Sequence, residues 1–220
     1  MAKIGVILSG CGVFDGAEIH EAVLTLYFLQ KAGAEVLMMA PDVEQMHVID
    51  HVKGEPAEGE SRNVLTESAR IARGDIKDIA GVKAADFDAL FLPGGFGAAK
   101  NLSTFAVDGA DCDINPEVLR LTRETLDAKK PIAAVCIAPV VVAKAFELMG
   151  VVSSITIGTD EGAAGAIDSM GSEHINCPVN EFVVDKENKI VTTPAYMLGQ
   201  NIVEVGEGIE KTCKQLLSMI

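Results

Sequence analysis

Pro131-Ile132-Ala133-Ala134-Val135-Cys136-Ile137-Ala138-Pro139 is the stretch on which the fold turns. An apolar run delivers one cysteine, and a proline suited to the first turn of a helix follows three residues later. This is the layout of a nucleophile elbow: a buried strand, a sharp turn exposing one reactive side chain, then a helix. A helix N-terminus carries positive partial charge, so the layout is expected to favour thiolate over thiol at Cys136. The same pattern also fits a core cysteine that only packs.

Outward from Cys136 the chain alternates strand and helix. Pro131–Val135 is a predicted strand, and Ala138–Met149 a predicted helix ended by Gly150. Lys3–Ser9 is an unbroken apolar run, the pattern of a strand buried on both faces, and it runs into Gly10-Cys11-Gly12. In Glu18–Ala32, residues Ile19, Ala22, Val23, Leu26 and Leu29 share one helical face, and Gly33 stops it. Ala34–Ala40 is a second strand, so the chain opens β-α-β with a parallel pair and a right-handed crossover. Asp42–Gly59 reads as a loop or hairpin arm. Helices are predicted over Asn63–Arg73, Ala98–Val107 and Pro116–Lys129, with a strand over Phe87–Leu92. Then come a strand at Ser154–Ile157, a helix at Thr159–Met170 and a hairpin of Val179–Asp185 and Lys189–Thr193. A last helix spans Leu198–Ser218, interrupted by Gly199, Gly206 and Gly208.

This alternation predicts a single α/β domain over residues 1–220. It is a doubly wound, flavodoxin-like sandwich with a mostly parallel sheet and an antiparallel hairpin near the C-terminus. Sites of such folds lie beyond the carboxyl ends of the strands, here Ser9–Gly12, Pro93–Gly97, Cys136–Pro139 and Gly158–Asp160.

Two of those exits carry chemistry that suits Cys136. Leu92-Pro93-Gly94-Gly95 can bring backbone close to a ligand, and the N–H groups of Gly95 and Ile137 together make a two-donor oxyanion hole. A plain glycine turn explains the same residues. Glu18-Ile19-His20-Glu21 opens the first helix, so an acid there overhangs the exits and can serve as base or proton shuttle. Acids at a helix N-terminus also simply complement its dipole, which accounts for Glu18 better than for Glu21.

Other candidates are weaker. Cys11 is either a second pocket thiol or an apolar lining residue. His47 and His51 stand four apart in a polar segment without H-E-x-x-H, so no metal is expected there. Cys112, Cys177 and Cys213 have no flanking base and read as structural, and His174 reads as a local hydrogen bonder. Tyr196 and Met197 follow a strand exit and can line a pocket. Gly10-x-Gly12 lacks the third glycine of a dinucleotide fingerprint, since Asp15 occupies that place, and no nicotinamide or other cofactor is implied.

Lys and Arg number 18 against 32 Asp and Glu, a net charge of −14. That excludes nucleic acid, whose binding rests on basic side chains, and disfavours anionic membrane surfaces. Hydrophobic residues make up 49% and charged ones 23%, enough for a sizeable core. No apolar run reaches the ~18 residues of a membrane span, and the first residues lack a signal-peptide pattern. Five widely spaced cysteines with no C-x-x-C suit a reducing compartment, so a cytoplasmic location is expected.

Together, Ser9-Gly10-Cys11-Gly12-Val13-Phe14-Asp15-Gly16-Ala17-Glu18-Ile19-His20-Glu21, Leu92-Pro93-Gly94-Gly95-Phe96-Gly97-Ala98-Ala99-Lys100-Asn101-Leu102 and Val135-Cys136-Ile137-Ala138-Pro139 resemble the ThiJ/PfpI superfamily. Ile157-Gly158-Thr159-Asp160 and Thr192-Thr193-Pro194-Ala195-Tyr196-Met197 extend the resemblance over nearly the whole chain, and its ElbB-type branch is the nearer match. The resemblance implies the class I glutamine amidotransferase-like fold, a Cys136 nucleophile, a Glu21 acid and oxyanion donors at Gly95 and Ile137. Cys11, His20, Gly94, Asn101, Thr159, Asp160 and Tyr196 are the further pocket candidates. It also implies a homodimer and a glyoxalase that needs neither glutathione nor cofactor and acts on a small dicarbonyl. The chain departs from the family's proteases in having Ile137 after the cysteine, and from its glutaminases in having Ile175-Asn176 after His174. Those two activities are therefore not expected. An oxidant-sensing or accessory protein, or a pseudo-amidotransferase that binds another enzyme, is the alternative.

Overall fold

The structure, a computed structural model, describes all 220 residues. Strand β1 (Lys3–Ile7) leads through α1 (Ile19–Lys31) to β2 (Glu35–Ala40), and the strands pair in parallel from Lys3–Glu35 to Ile7–Met39. A short antiparallel arm, β3 (Ile49–Asp50) and β4 (Glu55–Pro56), precedes α2 (Val64–Ile71) and the edge strand β5 (Lys77–Asp78). Next come β6 (Ala89–Leu92), α3 (Phe96–Lys100), α4 (Phe105–Asp108), α5 (Pro116–Asp127), β7 (Ile132–Val135) and α6 (Pro139–Met149). The chain closes with β8 (Ser154–Ile155), α7 (Glu161–Ser169), β9 (Glu173–His174), β10 (Val183–Asp185), β11 (Ile190–Thr193) and α8 (Ile202–Ser218).

The central sheet has seven strands in the order β10-β11-β7-β6-β1-β2-β5, all parallel except the β10–β11 hairpin. From β1 the chain moves outward to β2 and β5, then returns to β6 and proceeds the other way. The order thus reverses between β1 and β6, the place where such sheets bind ligands.

Strands β6, β7 and β11 are buried throughout, which is why they read as continuous apolar runs. Their side chains alternate between two cores. Leu90, Leu92, Ile132 and Ala134 join Val118, Leu121 and Phe146 of α5 and α6 on one face. Ala89, Phe91, Ala133 and Val135 join Leu29, Val205 and Ile209 of α1 and α8 on the other. Fully burying a Leu, Ile, Val or Phe side chain in these layers contributes roughly 1.5–3 kcal/mol.

Several boundaries differ from the sequence expectation. Ser154–Ile157 is not a strand of the central sheet: β8 is two residues long and pairs with β9 in a separate ladder. Its continuation is blocked because the Thr156 N–H donates to Thr192 Oγ1 and the Ile157 N–H to His174 Nε2. The helix expected over Ala98–Val107 is two short helices, broken where Ser103 bridges to Ile114. Helix α8 starts at Ile202, capped by Asn201, and runs unbroken through Gly206 and Gly208. Gly208 is there for close approach, since a Cβ on it would lie 2.4 Å from the Val179 carbonyl oxygen. No helix is long and apolar enough to cross a membrane.

Candidate active site

Strand β7 ends at Val135, and the next residue turns sharply. Cys136 has φ of +60°, a conformation that costs a non-glycine residue free energy and recurs where a side chain must be presented. Its N–H still donates to the Thr193 carbonyl (3.0 Å), and Pro139 opens α6 at once. The turn is therefore held from both sides, as the elbow reading requires.

The exit of β6 packs directly on this cysteine. A Cβ on Gly94 would stand 2.4 Å from Cys136 Cβ and 2.6 Å from Glu21 Oε2, so only glycine fits. Gly95 has φ of +95° and starts α3. Its N–H and that of Ile137 lie near enough to the Cys136 sulfur to favour its ionised form.

Glu18 and Glu21 divide the work at the start of α1. Glu18 Oε2 accepts from the Glu21 N–H (2.7 Å) and caps the helix. Glu21 is fully buried and turns toward Cys136. Its Oε2 accepts from the Gly94 N–H (3.0 Å) and its Oε1 from the Tyr196 N–H (3.1 Å), and Oε2 meets Cys136 Cβ around the position of Gly94.

Burial dominates the ionisation of this pair. It pushes the Glu21 carboxyl up to about 8; the bond from Tyr196 pulls it back, the charge of Glu18 pushes it further up, and the nearby Cys136 thiol and the bond from Gly94 oppose that. Burial also holds the Cys136 thiol well above its usual range, and the neighbouring Glu21 adds to this. The Gly95 and Ile137 N–H groups act the other way without prevailing. The expectation that the helix end favours a thiolate is thus corrected: desolvation outweighs it.

Above the cysteine opens a cavity of about 360 Å³. Gly95, Cys136 and Ile137 line it together with Val13, Phe96, Ala163 and Met197. Glu18, Asp160 and Tyr196 supply its other polar groups. Asp160 caps α7 through the Ala163 N–H (2.8 Å).

The remaining candidates separate. His20 is exposed and lies outside the cavity lining, with Nδ1 2.7 Å from the Tyr196 hydroxyl. Asn101 is not a pocket residue. Its Nδ2 donates to the carbonyls of Ser9 and Asp15 (2.8 Å each) and its Oδ1 accepts from the Met46 N–H, so it clamps three loops. Cys11 is likewise absent from the cavity: it lies among Glu67, Arg70, Asp15 and Arg62, and burial followed by Glu67 raises its thiol pKa. Thr159 is exposed and does not line the cavity. His51 joins two loops, accepting from the Phe14 N–H (3.3 Å) and contacting the Ile49 carbonyl (3.0 Å). His174 accepts from the Ile157 N–H, and all five cysteines are free. Val13, Phe96 and Ala163 were missed in the sequence. Phe96 carried a signal, an aromatic directly after the Gly94-Gly95 exit and 48% exposed here. Ala163 carried none.

Residues 11–195 match the model of the DJ-1/PfpI family. The chain is 52% identical to glutamine amidotransferase-like class 1 domain-containing protein 3, mitochondrial, of Homo sapiens, over 99% of this chain and 83% of that protein. It is also 52% identical to the ES1 protein homolog, mitochondrial, of Rattus norvegicus, over 99% of this chain and 84% of that one. A crystal structure of an isoprenoid biosynthesis protein with amidotransferase-like domain from Ehrlichia chaffeensis has a TM-score of 0.93 and 41% identity, covering 100% of this chain and 99% of that chain. The relatives' names overturn the expected cytoplasmic location, because those proteins are called mitochondrial. Free thiols mark a reducing environment without saying which compartment supplies it.

Proposed function

The chain belongs to the DJ-1/PfpI family, and from that premise we propose a Cys136-dependent glyoxalase that converts glyoxal or a related small dicarbonyl to the hydroxy acid. One observation carries the reading: Cys136 lines the cavity with Gly95 and Ile137, and the Glu21 carboxyl group packs beside it against Gly94.

The scheme needs one nucleophile and one acid–base group. The Cys136 S–H adds across one aldehyde, forming a C–S bond and a hydroxyl. The Gly95 and Ile137 N–H groups stabilise the developing oxyanion. Glu21 takes the C–H proton of the hemithioacetal, the electron pair forms the enediol, and the second aldehyde oxygen gains a proton from water. Glu21 returns its proton to the neighbouring carbon, the hydroxyl on the sulfur-bearing carbon gives up its proton to water, and a thioester results. Water then breaks the C–S bond, releasing the hydroxy acid and restoring the thiol. One carbon is oxidised and the other reduced, so no external redox partner enters.

The reading is tested by incubation with glyoxal, without glutathione, beside a Cys136→Ser variant and with product followed by NMR. Glycolate from the wild type alone supports it; no product from either overturns it. A second reading, oxidant sensing, draws on the same hydrogen-bonding groups, which would hold the oxygens of a sulfinate. Stoichiometric sulfinate without turnover favours that reading. A homodimer is part of the proposal, with light scattering as its test.

A further inference from the structure

Glyoxal leaves two features of the cavity unused, its size and its charge. Water occupies about 30 Å³ in the liquid, so about 360 Å³ is room for about a dozen waters, and a four-heavy-atom dialdehyde fills little of it. The ionisable lining other than Cys136 is Glu18, Asp160 and Tyr196, with no Lys, Arg or His.

Both acids spend one oxygen on a helix cap, Glu18 from a buried position and Asp160 from an exposed one. Glu18 is only 8% exposed; its Oε2 caps α1, and its Oε1 has no protein partner although the residue lines the cavity. Asp160 uses Oδ1 to cap α7 and leaves Oδ2 without a protein partner at the cavity mouth. Each carboxyl group thus has one oxygen held in place and one free. The aromatic rings of Phe96 and Tyr196 line the same space. Carboxylates beside aromatic faces attract cations and repel anions. The charge of Glu18 is already felt inside the site, where it opposes ionisation of both Glu21 and Tyr196.

We propose that the Cys136 cavity is selective for a carbonyl compound bearing an ammonium or guanidinium group, with Glu18 and Asp160 as the residues that read its charge. This rests on Cys136 being the reacting group of the cavity, and it narrows the substrate class of the same site. Anionic carbonyls such as 2-oxo acids are rejected, and glyoxal is accepted as a small neutral fragment of the preferred substrate.

The test uses three methanethiosulfonates carrying trimethylammonioethyl, hydroxyethyl or sulfonatoethyl groups. Each transfers its thiol group to a cysteine and releases methanesulfinate, so charge is read at the sulfur without any turnover. Rates at Cys136 are measured by peptide mass mapping on the full chain, with the half-buried Cys11 as control for the overall negative field. The thiolate fraction is common to all three reagents and cancels in the ratios.

The cationic reagent is expected to react faster than the neutral one and the anionic one slowest, with a cation-to-anion ratio at Cys136 exceeding that at Cys11 by roughly tenfold or more. Glu18→Gln and Asp160→Asn each retain a capping oxygen, and each is expected to shrink the ratio at Cys136 while leaving Cys11 unchanged. A ratio at Cys136 no larger than at Cys11, a ratio unmoved by both variants, or no modification of Cys136 by any reagent overturns the proposal. Glyoxal turnover is measured on the same preparation. Its loss with charge selection intact sinks the glyoxalase and leaves this inference standing; turnover without selection does the reverse.

Discussion

Glu21 Oε2 and Cys136 Cβ converge on one point, 2.6 Å and 2.4 Å from where a Cβ on Gly94 would stand, and the carboxyl group is fully buried. The pair joins the first turn of α1 to the exit of β7, two elements brought together only by the sheet. Burial, reinforced by Glu21, keeps the thiol protonated, while Glu21 itself titrates near 8. The carboxyl group can therefore serve as acid or base close to neutral pH, which is what proton movement between two carbons requires.

Glu21, and not its neighbour His20, is expected to carry that proton. Glu21→Gln should lower kcat for glyoxal by about 10²–10⁴, the usual contribution of a positioned acid–base group. His20→Ala should leave it nearly unchanged, because the ring is outside the cavity lining and bonds only the Tyr196 hydroxyl. In the wild type kcat/KM should climb as pH rises through about 8, where Glu21 becomes the base form. Steady-state rates from pH 6 to pH 9 check both; an equal loss in the two variants would assign the role elsewhere.

Stability should carry the signature of the same group. The Glu21 pKa is raised in the folded state from its ordinary 4.5 to about 8, so between those values the folded chain holds a proton the unfolded chain has lost. This contribution is present in full below 4.5 and declines as pH rises, by roughly 1.4 kcal/mol per pH unit, until about 8. Urea unfolding of the wild type and Glu21→Gln across pH 5–8 isolates it. The wild type should lose stability relative to the variant as pH increases, and parallel profiles would contradict the assignment.

Gly94→Ala tests the contact between β6 and the elbow. The added methyl would stand 2.4 Å from Cys136 Cβ and 2.6 Å from Glu21 Oε2, so one strand exit must shift. A loss of about 1–3 kcal/mol is expected, together with loss of turnover. Thermal melts beside activity separate the two effects, and an active variant of unchanged stability would refute the close packing.

Asn101→Ala tests the loop clamp. Removing the amide leaves the Ser9 and Asp15 carbonyls and the Met46 N–H without that partner, at a cost of about 2–4 kcal/mol. Turnover at low temperature should persist, because Asn101 does not line the cavity. Loss of activity in a fully folded variant would return Asn101 to the site.

The sequence by itself determined the α/β alternation, the elbow at Cys136 and the glycine exit at Gly94-Gly95. These are local signals: apolar runs mark strands buried on both faces, and residues adjacent in the chain must form the strand-to-helix turn together. What only the tertiary structure decided is which distant group meets the sulfur. Glu18, His20 and Glu21 occupy one helical turn, and a helix rotates about 100° per residue, so they face different directions. Packing of α1 against α8 and the sheet selects Glu21 for the interior, turns His20 outward and aims Glu18 into the cavity. Tertiary contacts elsewhere hold Asn101 on the Ser9, Asp15 and Met46 loops, place Cys11 beside Glu67 and Arg70, and leave β8 outside the central sheet. Ionisation followed the tertiary structure too: the dipole of a helix end is readable from local order, whereas the desolvation that overrides it depends on everything packed around Cys136.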